Sequence, residues 1–522
     1  MNLNLSQTSP RVRPRSLPLA LVSVFCLFAC SFSVAPAAEN LGLFTGRSDL
    51  GELKRPGTFA HDAAAGTYTL GSAGLNMWAR RDDHNFVWKK MTGDVALSAE
   101  IDFLTGGDPH RKACLVIRQS LAADSVYVDA ATHGDGLTSL QFREATGDVT
   151  REVQARTTAP RRLRLDKIGA TVYLSLAGAD GVFTPAGGSV KLPFTGEFYV
   201  GLAACAHNAD GFVEVKFSHV TFGPTSPAVV AIRSSLETVV ISSGDRRSVF
   251  ATTERIEAPN WTKDGSALIY NGGGRIFRLP LTGPATPERI DLGTLTRANN
   301  DHGISPDGKE LVISDGTKPG GSRIYVLPIT GGTPRELTPL APSYWHGWSP
   351  DGLTHTFCGK RDGRFGIFTV PAAGGPETRL TTAATPDGLD DGPEYSPDGQ
   401  WIYFNSDRSG LMQIWRMKPD GTAPEQITKD GLNNWFAHPS PNGRWLAYLS
   451  FAADVKGHPA DKDVMIRLLP VASIGATAAP GAAPVEPRVL VKLFGGQGTM
   501  NVPSWSPDSA RLAYVRYQPA VR

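Results

Sequence analysis

Cysteine is scarce: five in 522 residues, too few and too irregularly placed to staple a fold. Two of them, Cys26 and Cys30, fall in the first thirty residues. The other three, Cys114, Cys205 and Cys358, have no metal-ligand spacing and read as small buried thiols, with a Cys114–Cys205 pair as the alternative. An excess of one charge is lacking too. Lys and Arg number 52 against 50 Asp and Glu, a net +2, so no bulk field draws the chain to nucleic acid or an anionic membrane. Beyond the first forty residues no apolar run could span a bilayer, and from 40 to 223 no stretch of twelve or more residues has helical period. Gly-x-Ser-x-Gly, His-Glu-x-x-His, a phosphate loop and a dinucleotide fingerprint are all missing, which excludes the enzyme classes those motifs carry.

What is present begins with a leader. Arg11, Arg13 and Arg15 precede a mostly apolar run from Leu17 to Val34, and Ala35-Pro36-Ala37 places small residues at −3 and −1 of a cleavage site. This order is that of a secretory signal peptide over residues 1–37 and implies a periplasmic or secreted protein. An uncleaved anchor is the alternative, weakened by Pro18, Ser23, Ser31 and Ser33. Leu27-Phe28-Ala29-Cys30 offers a further one, a lipobox with Phe28 where a small residue is usual. Cleavage removes three positive charges and leaves the mature chain at −1, with no membrane span.

Residues 40–223 carry short alternating or apolar runs (Val95–Phe103, Ala113–Arg118, Ser125–Ala130, Leu137–Arg143, Arg162–Leu165, Thr171–Ala177, Phe198–Ala204) separated by Gly, Asp and Asn clusters. Many short strands with turn signals predict an antiparallel β-sandwich. A connector is expected over 224–238. Beyond it one phrase recurs six times: Trp261-Thr-Lys-Asp264-Gly265, Ser305-Pro-Asp307-Gly308, Ser349-Pro-Asp351-Gly352, Ser396-Pro-Asp398-Gly399, Ser440-Pro-Asn442-Gly443 and Ser506-Pro-Asp508-Ser509. The intervals are 43, 44, 47, 44 and 66 residues, the last lengthened by the Ala/Pro-rich stretch Ala472–Pro487. A repeat of about 44 residues with room for four short strands is a propeller blade, stable only when its neighbours cover both faces. Asp-Gly supplies the tight turn, because Gly tolerates positive φ and Asp bonds its own backbone. Strands precede the first phrase, whereas the sixth is followed by a single strand. The N-terminal strands of 239–522 are therefore expected to complete the last of six blades. The fold class is all-β throughout.

Two resemblances follow from these residues. The Ser-Pro-Asp-Gly core with blade endings Leu337-Thr338, Leu380-Thr381 and Ile427-Thr428 resembles the WD-like repeat of TolB-type periplasmic propellers. Asp83-His84-Asn85-Phe86-Val87-Trp88, Thr92-Gly93-Asp94, Ala113 to Arg118 and Tyr199-Val200-Gly201-Leu202 with His207-Asn208 resemble a concanavalin-like jelly-roll domain of secreted bacterial proteins. The second likeness implies sugar contact, for which Trp78 and Trp88 are candidate stacking rings.

Residues just before each phrase form the innermost strand of a blade, so their side chains can face the channel. His302 and His346 stand five residues before their blade's Asp, and Glu394 and His438 stand four before theirs. Imidazoles and carboxylates have no packing role there. His302, His346, His438 and Glu394 are candidate ligands for a divalent metal such as zinc, manganese or calcium. Glu394, Asp391 and His438 are candidate acid–base groups. Asp301, Tyr344, Trp345, Asp390, Trp435 and Asn501 are candidate ligand contacts. A polar, water-filled channel is the plain alternative. The remaining histidines, His61, His84, His110 and His355 among them, are scattered and read as surface or structural. The leading expectation is a monomeric exported protein that binds a peptide, an envelope protein or a glycan, with no reaction of its own. A carbohydrate-active lyase or hydrolase is the alternative, since similar propellers with channel histidines and a metal serve lyases of uronic-acid oligosaccharides.

Overall fold

The computed structural model describes residues 39–518, apart from 158, 161, 179, 227–230, 384, 386, 387 and 476–484. The expected signal peptide and Cys30 lie outside these residues. Leu41–Arg522 forms one compact unit, and everything below concerns it. It is all-β, and among the described residues no helix is long and apolar enough to cross a membrane.

The N-terminal half is built from two large sheets. One has seven strands, in the order Phe183–Lys191, Thr171–Ala177, Arg162–Ile168, Val95–Phe103, Val213–Gly223, Thr67–Ser72 and Thr58–Asp62. The other runs Gly46–Leu50, His84–Met91, Phe198–Cys205, Lys112–Arg118, Tyr127–His133, Thr138–Arg143 and Arg151–Gln154, and then continues into the second half of the chain. Alternation sorts the side chains. Ala113, Leu115 and Ile117 join Leu97, Leu165, Leu202 and Val215 in the core. Cys114 and Val116 face the other way and pack with Met77, Phe86 and Ala203. Both faces of Lys112–Arg118 are therefore covered, which is why all seven of its residues are buried.

Beyond the sandwich lies a β-propeller. Five four-stranded antiparallel sheets, here blades one to five, have inner strands Ile256–Trp261, Ala298–Ile304, Ser343–Trp348, Asp390–Tyr395 and Asn433–Pro439. The repeated phrase is a turn locked from within. In the second, third, fourth and sixth phrases the Ser hydroxyl donates to the Asp carboxylate at 2.5–2.6 Å. In each of them the same hydroxyl accepts the backbone N–H five residues on. The glycines take φ of 67–77°, a region that L side chains avoid, and Ser509 occupies it in the sixth phrase. The blade-ending threonines are explained as well: Thr338, Thr381 and Thr428 accept the N–H of Ile324, Ile367 and Ile414, each the start or middle of its blade's third strand.

The sixth phrase leads into Arg511–Tyr517, which pairs antiparallel with Ser234–Val240, and that strand pairs with Arg246–Thr252. An isolated bridge from Trp505 to Leu512 stands on the inner side. Ser234–Val240 and Arg246–Thr252 thus share a sheet with the strand that follows the sixth phrase. The connector is shorter than 224–238, because Ser234 and Ser235, polar in sequence, are wholly buried strand residues. A parallel pairing of Val153 and Gln154 with Arg246 and Arg247 makes this closing sheet continuous with the sandwich sheet.

At that junction Glu237 is fully buried. It accepts the Tyr514 hydroxyl and an Arg246 N–H at 3.3 Å, and Arg516 lies 3.7 Å away. Both guanidiniums also donate to the Ser189 carbonyl of the sandwich, at 3.3 and 3.2 Å. Breaking such a pair from one side leaves buried charge uncompensated and costs about 3–5 kcal/mol. Glu237→Ala is accordingly expected to destabilise the chain by that amount in chemical denaturation. Sandwich and propeller should melt in one transition in the wild type.

Candidate functional site

Each inner strand is interrupted where the candidate residues stand. Register shifts fall between Glu257 and Asn260, Ala298 and His302, Trp345 and Gly347, Asp391 and Glu394, and Trp435 and His438. A bulge adds a residue on one strand and re-aims the side chains around it. Ala258, Gly392 and Phe436 hold positive φ at equivalent points of blades one, four and five.

The bulges bring two acid–imidazole pairs across blade boundaries. His346 of blade three has Nε2 at 3.2 Å from Asp391 Oδ1 of blade four. Glu394 of blade four has Oε2 at 2.5 Å from His438 Nδ1 of blade five. The other nitrogen of His438, Nε2, is 3.2 Å from the Met500 carbonyl and must donate to it. His458 stands 3.9 Å from the second oxygen of Asp391. It hydrogen-bonds Gln497 through Nδ1 and packs edge-on against Trp435 and Phe436.

Burial and neighbouring charge set these groups apart. Burial alone would raise the Asp391 pKa, but the facing His346 and His458 hold it well below the usual carboxylate range. Asp301 is pushed up to about 7, by burial first and then by Asp391 and Glu257, against the pull of His346. Burial also raises Glu394, opposed by His438. His346 goes up although burial works against it, because Asp391, Asp301 and Glu394 surround it. One carboxylate is thus ionised and another near half-protonated around one imidazole at neutral pH.

Asp301, His346, Asp391, Glu394 and His438 form this connected group, and Tyr344 is a half-buried neighbour whose hydroxyl is held up by burial and by Asp301 and Asp391. The metal candidates do not meet as one set. His302 is fully buried and is paired opposite Ile313. Burial takes it down to about 4. Among the described residues the one group of His, Cys, Asp or Glu with three ligand atoms within 4.8 Å of one another lies in the sandwich, not here. Trp345 is core: its indole donates to His355 Nδ1 at 3.0 Å and its ring occupies the space a Cβ on Gly303 would need. Trp435 packs in the blade-five cluster. Asp390 is fully buried and ion-paired with Arg408 at 2.8 Å. Asn501 braces its own loop through Gly498 and Gln497. In the sandwich, Trp88 is packed against Gly46 and Tyr199, and Trp78 lies over the Lys112 ammonium. Sequence reasoning missed His458, which lies beyond the second strand of blade five at no repeat offset. It also missed a cavity of about 890 Å³ at the junction, lined by Tyr173, Lys191, Asp463, Lys492 and Arg516 among others.

Asp301 yields a signed pH prediction. Its folded pKa lies above the ordinary 3.8, so the folded state binds more protons between pH 4 and 7 and loses stability as pH rises through that window. Asp301→Asn should be nearly neutral at pH 4 and stabilising by about 2–4 kcal/mol at pH 8. Thermal unfolding of both proteins at pH 4, 6 and 8 checks it.

Comparison with known proteins agrees with this architecture. The TolB β-propeller family PD40 matches residues 341–485. An uncharacterized protein, Atu1656, of Agrobacterium fabrum is 50% identical over 289 residues, which cover 55% of this chain and 94% of that protein. A solved structure from Agrobacterium tumefaciens, named as a TolB, superposes with a TM-score of 0.51 at 50% identity, over 55% of this chain and 99% of the other. The Tol-Pal system protein TolB of Francisella tularensis is 28% identical over 216 residues, 38% of this chain and 46% of its own length. With a half-identical relative covered almost end to end, the chain belongs to the TolB-like PD40 β-propeller proteins.

Proposed function

We propose that the protein is exported and that its propeller, counted as six blades with the closing sheet as the sixth, binds a peptide or glycan at its channel. The sandwich is read as a concanavalin-like jelly roll serving as a second contact. The observation that carries the reading is the group Asp301, His346, Asp391, Glu394 and His438. Four blades and their bulges bring polar side chains together where a scaffold needs none. A ligand with both donors and acceptors, such as a peptide backbone or a sugar hydroxyl array, matches such a lining.

One observation favours a second reading. Asp391 is held ionised while Asp301 is held near neutrality, and environments that drive two carboxylates apart are how acid and base roles are divided. A carbohydrate-active hydrolase or lyase would use that difference.

Calorimetric titration of the mature protein against envelope peptides and against uronic-acid and cell-wall oligosaccharides tests both. Binding that falls at least tenfold in Asp391→Asn, with no change in the sugars recovered, supports the first reading. Appearance of new reducing ends or of unsaturated, ultraviolet-absorbing products replaces it with the second. No binding by the wild type across the panel removes the first.

A further inference from the structure

At one end of the sandwich three histidines and two aspartates meet, although their positions are spread from 108 to 207. Gly134 N–H donates to the Arg111 carbonyl and Asp135 N–H to the Pro109 carbonyl, both at 2.9 Å, so the turn at 108–111 is zipped to the turn at 133–136. His110, His133 and Asp135 consequently present ligand atoms that all lie within 4.8 Å of one another. His207, just past Phe198–Cys205, joins from the other side. Its ring centroid is 5.4 Å from that of His110, and its Nδ1 is 3.2 Å from Asp108 Oδ1. Its backbone is held at φ 56°, the left-handed region that a non-glycine residue enters only under constraint.

His133 is the fixed point. It is 6% exposed, and its Nδ1 is buried without a hydrogen-bond partner, a deficit that a bound ligand would relieve. Its Nε2 is 3.1 Å from the Gln141 amide, whose Oε1 is likewise buried without a partner. With that amide turned over, Oε1 accepts the Nε2–H, and Nδ1 carries a lone pair free for a ligand. A metal-bound imidazole is oriented in just this way by an acceptor on its second nitrogen.

We propose that this end of the sandwich is a transition-metal site, with His133, His110 and Asp135 as ligands, His207 completing the set, and Zn²⁺ the ion it fits. Imidazole nitrogens with one carboxylate and no thiolate are the donors of zinc and its neighbours rather than of calcium or magnesium. Ligand bonds of about 2.0–2.2 Å bring tetrahedral ligand atoms to roughly 3.3 Å of one another. A contraction from 4.8 Å is within reach of the exposed His110 and Asp135, while buried His133 stays in place. Bound metal would clamp the three loops together.

Tag-free full-length protein, stripped with EDTA and dialysed, is titrated with ZnCl₂ by calorimetry and followed by thermal unfolding. One ion per chain with micromolar or tighter affinity and a raised Tm is expected. His110→Ala and Asp135→Ala, both at exposed positions, should each weaken binding at least tenfold and leave the metal-free Tm unchanged. His346→Ala, in the channel, should bind as the wild type does. Co²⁺ should give the intense visible absorption of a tetrahedral site. Absence of saturable binding by the wild type overturns the proposal. So does affinity retained in His110→Ala and Asp135→Ala, or lost in His346→Ala.

Discussion

One buried carboxylate holds the two halves of this protein together. Glu237 meets Arg246 and Tyr514 from the strands on either side of its own, with Arg516 also within 4 Å, and the two guanidiniums reach past it to one carbonyl of the sandwich. Taking two guanidiniums out of water is costly unless charge and acceptors surround them. Glu237 supplies the charge, Ser189 an acceptor, and the Tyr514 hydroxyl donates a further hydrogen bond to Glu237. The arrangement is complete only when the sixth phrase's strand, the N-terminal propeller strands and the sandwich are all in place. Ring closure and attachment of the sandwich therefore draw on the same interaction. Ser235, which donates to the Gly187 carbonyl at 2.7 Å, and Arg156, which donates to the Val249, Pro280 and Gly283 carbonyls, extend that seam.

Within the ring, uniformity and variation are divided along each blade. The Ser-Asp turn and the Thr at the blade ending repeat because each satisfies its own backbone, and neither depends on what the blade does. Variation is concentrated in the bulged inner strand, where one extra residue lets a side chain leave the regular alternation. Asp391, Gly392, Pro393 and Glu394 show the result. Two carboxylates three residues apart serve two different imidazoles, His346 on one side and His438 on the other.

The same bulges explain how far the sequence could be read. The six phrases were legible because a tight turn imposes its residues locally. The strand runs from Val95 to Ala204 were legible because alternation is local too, and Thr171–Ala177 has the expected bounds. Counting offsets along an inner strand was less secure. His302 and His346 share an offset, yet the bulge of blade two falls before His302 and that of blade three falls at His346, so Asp301 rather than His302 acts on the blade-three imidazole. Trp345 carried no local sign that Gly303 of the previous blade is hollowed to receive it. His110 looked isolated because its partners are 23 and 97 residues away. A signal existed in strand register: Lys112 pairs with both His133 and Cys205, which puts the residues two beyond each strand end, His110 and His207, at one corner. Long-range pairing is what a single sequence conveys least.

The closing sheet has a consequence for the order of events in folding. Tyr514 reaches Glu237 across 277 residues of chain, and the sheet it completes is the one that continues into the sandwich. Every contact inside blades one to five is local by comparison, so those blades can condense as the chain is made available. The ring stays an open arc, with an unpaired edge on Ser234–Val240, until Arg511–Tyr517 arrives. Closure of the ring thus waits on the pairing of Arg511–Tyr517 with Ser234–Val240, a contact whose long intervening loop makes it entropically the most demanding in the propeller.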